Sequence, residues 1–286
     1  MIDLHVHSNH SDGTLSPEEL VQLAVTTGLS AFALTDHDTV SGVPIAKAAA
    51  EKSTAAGCPV TVISGTEISA AYAKKDIHIL GLFLDETNPT LLAALEAAVA
   101  ARERRNQLMA ERFCTLGIPI TLEALRLENP DTVITRAHFA KYLTEKHFVK
   151  TREEAFTRYL GYDAPCFVPR EYMAPERAIS LILQAGGIPV LAHPLLYKLP
   201  PRELEALLER LCAAGLKGLE VYYSSNTSFE EGIVYGLANR FGLLMTGGTD
   251  FHGCNKPNLF LGTGRNNTMS IPDSLLEPLF RYLKKN

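Results

Sequence analysis

The sequence lacks the cysteine pattern of a disulfide framework or of a cysteine zinc site. Its five cysteines are odd in number and far apart, and none forms a C-x-x-C pair. It also lacks a basic segment followed by an apolar one near its start, and any apolar run approaching the roughly 18 residues of a membrane span. These absences predict a protein of the reducing cytoplasm with no membrane partner.

A basic charge balance is missing as well. Lys and Arg number 27 against 32 Asp and Glu, which gives a formal net charge of −5. A dedicated duplex-DNA binder carries a basic footprint, so we expect no duplex-DNA partner. Nucleotides are not excluded by this balance, because bound cations would reverse the local sign of the field.

Short apolar runs alternate with longer helical patterns through most of the chain, which is typical of an α/β protein with parallel strands. Ser16 and Glu19 predict a capping box at the start of the first helix, and Gly28 predicts its end. A similar pair, Ser228 and Glu231, predicts the start of the helix that runs to Gly242. The predicted strands are 2–6, 31–35, 60–64, 77–82, 189–192, 218–222 and 243–246.

The alternation stops between about 98 and 170, where the pattern is helical and no strand is clear. We therefore predict a barrel formed by residues 1–97 and 171–286, with residues 98–170 as a small, mostly helical insertion domain. The three arginines of its first long helix, Arg102, Arg104 and Arg105, are predicted to form a solvent-exposed face.

Histidines and carboxylates recur where the predicted strands end. In barrel enzymes, functional side chains gather at the carboxyl ends of the strands, because the loops there share one face. Most of the nine histidines lie in or beside these positions, whereas His10 and His147 are predicted to be surface residues. Asp38 has a second interpretation, because it could cap the helix that follows it.

The spacing of these residues indicates a metal site. Residues i and i+2 of a strand point to the same side, so His5 with His7, and Asp250 with His252, can each grip one ion. Imidazoles with carboxylates suit zinc, manganese or iron, and several carboxylates favour more than one cation. The pair Gly247-Gly248 indicates a place where the backbone turns sharply or closely approaches another group.

In their order along the chain, these motifs resemble those of the PHP (polymerase and histidinol phosphatase) family. They are His5-x-His7, Ser11-Asp12-Gly13, Thr35-Asp36-His37-Asp38, Gly65-x-Glu67, His78, Ala192-His193-Pro194 and Gly248-x-Asp250-x-His252. The resemblance runs from residue 1 to about 253. It implies a distorted, TIM-like (βα)7 barrel that holds two or three divalent ions, often manganese. The implied ligands are His5, His7, Asp12, His37, Glu67, His78, His193, Asp250 and His252.

One position departs from the common pattern, since several family members have histidine where Asp12 stands. The inserted segments 134–140, 159–161 and 167–169 resemble the branch that contains 3',5'-nucleoside bisphosphate phosphatases and enzymes that trim short 5'-phosphorylated RNA. Within that branch Arg136 is a candidate phosphate clamp, because a guanidinium offers a planar fork of donors. His138 could add a second donor. Alternatively, Arg136 pairs with an acidic residue across the insertion.

The predicted function is removal of the 3'-phosphate from 3',5'-nucleoside bisphosphates such as 3'-phosphoadenosine 5'-phosphate, with trimming of short RNA as a second activity. Glu67 is predicted to bridge two ions and Asp250 to complete the catalytic set, while either a third ion or His193 is predicted to assist the leaving oxygen. Three alternatives remain: a histidinol-phosphate phosphatase, a non-catalytic metal-binding module of the same family, and an amidohydrolase-like enzyme. The first fits the inserted segments less well, the second would have lost ligands, and the third typically has different spacing near its last Asp.

Overall fold

The computed structural model describes residues 1–73, 75–126, 130, 132–169 and 172–285. Seven strands form one sheet in the order of the chain. They are β1 (Ile2–Val6), β2 (Ala31–Leu34), β3 (Thr61–Tyr72), β4 (Lys75–Leu82), β5 (Ile188–Leu191), β6 (Gly218–Tyr223) and β7 (Leu244–Gly248). A two-stranded ribbon follows, β8 (Leu259–Phe260) and β9 (Gly264–Arg265).

The sheet curves until the chain after β7 meets β1. The amide of His7 donates to the carbonyl of Phe251 at 2.9 Å, and the amide of Asp250 donates to the carbonyl of His5 at 2.8 Å. These bonds nearly close the sheet, and the predicted distorted barrel is confirmed.

The expectation that the strands are parallel is wrong for β4. This strand is antiparallel to both β3 and β5, whereas the other neighbours in the sheet are parallel. The chain turns back between Tyr72 and Lys75, and a parallel return would need a crossover of a dozen or more residues. Strand β3 also continues well beyond the predicted residue 64. As a result His78, which pairs with Ser69, comes to the end of the barrel where the parallel strands finish.

Ten α-helices are described along the chain. They are α1 (Pro17–Thr27), α2 (Val43–Ala55), α3 (Pro89–Thr115), α4 (Leu122–Leu125), α5 (Arg136–Glu145), α6 (Arg152–Ala155), α7 (Pro175–Gln184), α8 (Pro201–Ala213), α9 (Ser228–Phe241) and α10 (Leu276–Leu283). A π-helical turn, Phe156–Leu160, follows α6. No helix among the described residues is long and apolar enough to cross a membrane.

The predicted cap of α1 is confirmed. The amide of Glu19 donates to the hydroxyl of Ser16 at 3.2 Å, and Gly28 ends the helix with a φ of 78°. The capping box of α9 lies one residue earlier than predicted, because Thr227, in extended backbone, accepts from the amide of Glu230.

Among the described residues, three groups of buried apolar side chains stabilise the protein. One joins the outer helices to the sheet, and a second combines β1, β2, β4 and β5 with Leu279 of α10. The third lies within residues 109–168 and includes Phe113, Phe139 and Leu143, so that segment has a core of its own. The domain boundaries stay a prediction, and the one between 170 and 171 falls outside the described residues.

Candidate metal centre

The nine predicted ligands meet at one end of the barrel. Three sets of their donor atoms each lie within 4.8 Å of one another: His7, Asp12, His37 and His252; His5, His7 and Glu67; and His37, Glu67 and His78. His193 and Asp250 border these sets, with His193 Nε2 3.0 Å from Glu67 Oε1 and Asp250 Oδ1 3.4 Å from His7 Nε2. All nine are buried except His78, which is partly exposed.

Glu67 occupies the middle of the cluster. Its Oε1 atom lies 2.7 Å from Nδ1 of His78 and 3.0 Å from Nε2 of His193. Its Oε2 atom faces the ring nitrogens of His37 at 3.1 Å, His7 at 3.2 Å and His5 at 3.4 Å. One carboxylate therefore touches two different groups of imidazoles.

Asp12 and Asp250 are the other two carboxylates of the cluster. Asp12 Oδ1 is 3.1 Å from Nε2 of His252, and Asp12 Oδ2 is 3.7 Å from Nε2 of His37. Asp250 directs Oδ1 toward the histidines, while its Oδ2 accepts from the hydroxyl of Tyr223 at 2.8 Å and pairs with Lys256. Asp250 therefore presents one oxygen to the cluster and has the other held outside it, whereas both oxygens of Asp12 lie near cluster histidines.

Outer groups orient several of the imidazoles. Glu220 Oε1 lies 2.9 Å from Nδ1 of His5, and its Oε2 accepts from the amide of His193 at 2.7 Å. Nδ1 of His252 lies 2.8 Å from the carbonyl of Asp250. Such partners fix the ring so that the other nitrogen faces the metal. Glu220 was missed in the sequence, although it is the single carboxylate of an otherwise apolar strand.

The buried charges hold each other in defined protonation states. Burial alone would raise the pKa of Glu67, but the neighbouring histidines hold it well below the ordinary value. Burial alone would lower the pKa of His5, yet the carboxylates of Glu220, Glu67 and Asp250 raise it well above the ordinary value. The pKa of Glu67 thus stays low despite its burial, and cations bound at this site would balance its charge.

The donor atoms fit divalent cations. Buried Nε2 of His5, Nε2 of His7, Nδ1 of His37 and Oδ1 of Asp12 have no hydrogen-bond partner among the described residues. Buried polar atoms normally have a hydrogen-bond partner, so a set of unpaired nitrogen and oxygen atoms that face one space requires an explanation. Imidazole and carboxylate donors suit zinc, manganese or iron.

The backbone around the cluster is strained and tightly apposed. Asp38, His193 and Asp250 have positive φ angles of 55°, 25° and 57°. Non-glycine residues in this region are uncommon and gather at functional sites. A Cβ on Gly248 would lie 2.3 Å from Cβ of His5, which confirms the close approach predicted for the glycine pair.

Two arginines of α3 face the barrel rather than solvent. Arg102 is 6% and Arg105 4% exposed, so the prediction of a solvent-exposed face is wrong for both, while Arg104 is exposed. Arg102 pairs with Asp38 and donates to the hydroxyl of Ser69 at 2.9 Å. Asp38, which also accepts from the amide of Ser69 at 2.8 Å, therefore anchors α3 instead of capping a helix.

Beside the cluster lies what we call the arginine cavity, with a volume of 160 Å³. Its lining includes Asp12, His37, His78, Arg102, Arg105 and Arg136. Arg136 also donates to Asp76 Oδ2 at 2.6 Å, as the alternative interpretation of this residue expected, although Asp76 lies on β4.

His138 is not brought to the arginine cavity. Its Nδ1 accepts from the amide of Thr135 at 3.0 Å, and the residue lines another cavity that Lys141 and Lys146 share. Its role in substrate binding stays a prediction.

His10 is also not the surface residue we predicted, because it is 9% exposed and its Nδ1 lies 2.8 Å from the hydroxyl of Ser41. His147 is exposed, as predicted.

The amino-acid sequence is similar to a known family and to proteins of known activity. Residues 3–166 match the family model described as the PHP domain. The chain is 36% identical over 250 residues to a 5'-3' exoribonuclease from Haemophilus influenzae, an alignment that covers 87% of this chain and 89% of the relative. It is 35% identical over 254 residues to a 3',5'-nucleoside bisphosphate phosphatase from Chromobacterium violaceum, covering 88% and 87%.

A solved structure shares the whole architecture. It is a protein from Bifidobacterium adolescentis assigned as a metal-dependent phosphoesterase, with a TM-score of 0.84 and 32% sequence identity. The superposition covers 98% of this chain and 95% of that one, so it includes the residues inserted between β4 and β5.

Proposed function

Because the chain belongs to the PHP domain family and is a metal-dependent hydrolase of phosphoester bonds, we propose that its substrates are 3',5'-nucleoside bisphosphates. It removes the 3'-phosphate and leaves the 5'-nucleotide. The observation that carries this proposal is the arginine cavity, which adjoins the candidate metal centre through Asp12, His37 and His78. Such a site can hold two phosphates at once, one at the cations and one at the arginines.

The nine residues of the cluster would hold two or three divalent cations, and we favour manganese. Bound there, such cations lower the pKa of a water molecule and offset charge on the phosphoryl oxygens. Glu67 would hold a cation with each of its two oxygens, because these oxygens face different histidines. Oδ1 of Asp250 faces the histidines of the cluster, and its Oδ2 is held by Tyr223 and Lys256.

His193 is assigned to the leaving group. Its Nε2 atom lies against Glu67, and its Nδ1 is buried without a hydrogen-bond partner among the described residues. Its backbone has the strained φ of 25°, and its amide is held by Glu220. The imidazole is therefore fixed beside the cluster, where it can hold the departing ribose oxygen.

The arginine cavity would hold the phosphate that is not cleaved. Arg136 offers a guanidinium fork, and aromatic rings of Phe167 and Phe156 lie 5.8 Å and 6.0 Å from its centre. Arg102 adds a buried Nε without a hydrogen-bond partner among the described residues. A short RNA with a 5'-phosphate presents the same group, so we propose trimming of such RNA as a second reaction of this site.

Phosphate release tests the proposal. We expect rapid release from 3'-phosphoadenosine 5'-phosphate with manganese, with 5'-AMP as the product, and little from 5'-AMP or histidinol phosphate. Removing a charged hydrogen-bond donor costs about 1.5–3 kcal/mol, so Arg136→Ala should raise KM for the bisphosphate about 10- to 100-fold. Arg158→Ala is the matched control, since Arg158 lies in the same insertion and pairs with Glu154 at the surface.

Two outcomes would contradict the proposal. Preferential release from histidinol phosphate would keep the phosphoesterase activity but change the substrate. An equal loss for Arg136→Ala on the bisphosphate and on a substrate with one phosphate would remove Arg136 from phosphate recognition. Melting temperatures of both variants must match the wild type, because Arg136 also pairs with Asp76.

We also infer a cytoplasmic location, with no duplex-DNA or membrane partner. All five cysteines are free thiols, three of them exposed, which fits a reducing compartment. Subcellular fractionation of cells that produce the protein would test this location. Recovery of the protein in an oxidising compartment would contradict it.

A further inference from the structure

The hydroxyl of Thr135 makes two contacts that lead in different directions. It accepts from the amide of Ala137 at 3.1 Å, which caps the first turn of α5. It also lies 3.0 Å from Oδ2 of Asp12, the oxygen to which it donates. A hydroxyl can accept and donate at once, and both residues are buried, Thr135 at 6% and Asp12 at 5% exposed.

The insertion holds the whole segment around Asp12. The amide of Val133 donates to the carbonyl of His10 at 2.9 Å, and the hydroxyl of Thr132 donates to the carbonyl of Ser11 at 2.6 Å. Residues 132–135 therefore run along residues 10–12, and the Thr135 hydroxyl is the contact that reaches the carboxylate itself.

A second chain of contacts reaches Asp12 from its other side. Asn255 Nδ2 donates to the Asp12 carbonyl at 2.7 Å, and Asn255 Oδ1 accepts from Arg152 of α6 at 2.6 Å. Asp12 thus depends on the insertion twice, although its own loop follows β1 of the barrel.

These contacts join two functional regions. Asp12 belongs to the set formed with His7, His37 and His252, whereas the residue after Thr135 is Arg136 of the arginine cavity. We propose that Thr135 is a positioning residue: it orients Asp12 for the cation of that set, and it makes cation binding there and anion binding at Arg136 reinforce each other. The anion half rests on the proposed substrate, whereas the cation half rests only on the proposed metal centre.

The physical reason is that the two oxygens of the Asp12 carboxylate have different partners. Oδ1 has no hydrogen-bond partner among the described residues, while Oδ2 is secured by Thr135. Loss of an outer hydrogen bond to a ligand typically lowers metal affinity 10- to 100-fold. Any gain in cation affinity on anion binding must equal the gain in anion affinity on cation binding.

Manganese titration of the metal-free protein by calorimetry tests the cation half without substrate. We expect Thr135→Val to weaken one class of sites about 10- to 100-fold, and Thr135→Ser to restore it. Thr151→Val is the matched control, because Thr151 caps α6 in the same insertion through the amide of Glu154 but does not contact the cluster. Thr135→Gly is a second test, since glycine is a good N-cap and lacks the hydroxyl.

The outcomes separate the two halves. Equal manganese affinities in Thr135→Val, Thr135→Gly and Thr151→Val would overturn the positioning role. With saturating 5'-AMP, the wild type should bind the Asp12 cation more tightly and Thr135→Val should not, so an unchanged wild type would overturn the coupling. Failure of 5'-AMP to bind at all would count against the proposed function, while the titration without nucleotide would still decide the role of Thr135.

Discussion

Glu220 stands directly behind His5, with its Oε1 atom 2.9 Å from Nδ1 of the imidazole. Both side chains are fully buried, at 1% and 0% exposed. The contact places Nδ1 of His5 against Glu220 and leaves Nε2 facing the cluster. Because Glu220 also accepts from the amide of His193, one carboxylate positions two neighbouring strand ends.

Glu220→Gln should therefore weaken cation binding while the fold persists. The amide keeps the size of the side chain but loses the charge that supports His5, and such outer-contact losses lower metal affinity about 10- to 100-fold. Calorimetric titration with manganese measures the effect. Glu277→Gln, at an exposed carboxylate of α10, is the control. Unchanged affinity in Glu220→Gln would show that the contact does not support the centre.

The meeting of these histidines and carboxylates could be predicted because they recur at strand ends, where parallel strands share one face, while their roles as ligands stay a prediction. Glu220 escaped notice because a single carboxylate inside an apolar strand has no periodic signal. The β3–β4 hairpin was missed for a related reason. Apolar residues such as Ile68 and Ala70 continue β3 beyond residue 64, but they lie among polar residues next to Glu67, which was assigned to a functional loop after the strand.

The arginines of α3 show what helical pattern alone cannot reveal. Charged residues at helical spacing normally face solvent, and Arg104 does. Arg102 and Arg105 are both buried, and Arg102 finds its partners in Asp38 and in Ser69 of β3, more than 30 residues away in sequence. Burial of this kind depends on tertiary packing and leaves no trace in local sequence.

Arg102→Met should destabilise the protein strongly. Removing one partner of a buried ion pair leaves the other charge uncompensated and costs about 3–5 kcal/mol, here at Asp38. Urea unfolding followed by circular dichroism gives the free energy of unfolding. Arg104→Met lies two residues away on the exposed side and should change it by about 0.5 kcal/mol or less. Similar values for the two variants would show that the Asp38 pair contributes little.

Gly248→Ala should damage the metal centre through the backbone. The new Cβ would lie 2.3 Å from Cβ and 2.5 Å from the backbone nitrogen of His5, so β1 and β7 must separate. Since His5 is a proposed ligand, manganese affinity should fall together with the melting temperature. Gly236→Ala is the control, because nothing lies within 4 Å of a Cβ there and the residue is exposed on α9. A Gly248→Ala protein that binds manganese normally would contradict this account of the barrel closure.

Removal of the cations by a chelator should lower the free energy of unfolding. The dependence of this free energy on the concentration of free manganese should give the number of bound cations. Ligand binding to the folded state stabilises it by about 1.4 kcal/mol per site for each tenfold rise in free ligand above Kd. Two or three cations therefore predict a slope of about 2.7–4.1 kcal/mol per decade of free manganese, measured as the free energy of unfolding in urea. Asp12→Ala should reduce the slope by about one site, because it removes the central carboxylate of the set formed with His7, His37 and His252. A wild-type slope of one site would contradict a centre of two or three cations, and an unchanged slope in Asp12→Ala would exclude Asp12 as a ligand.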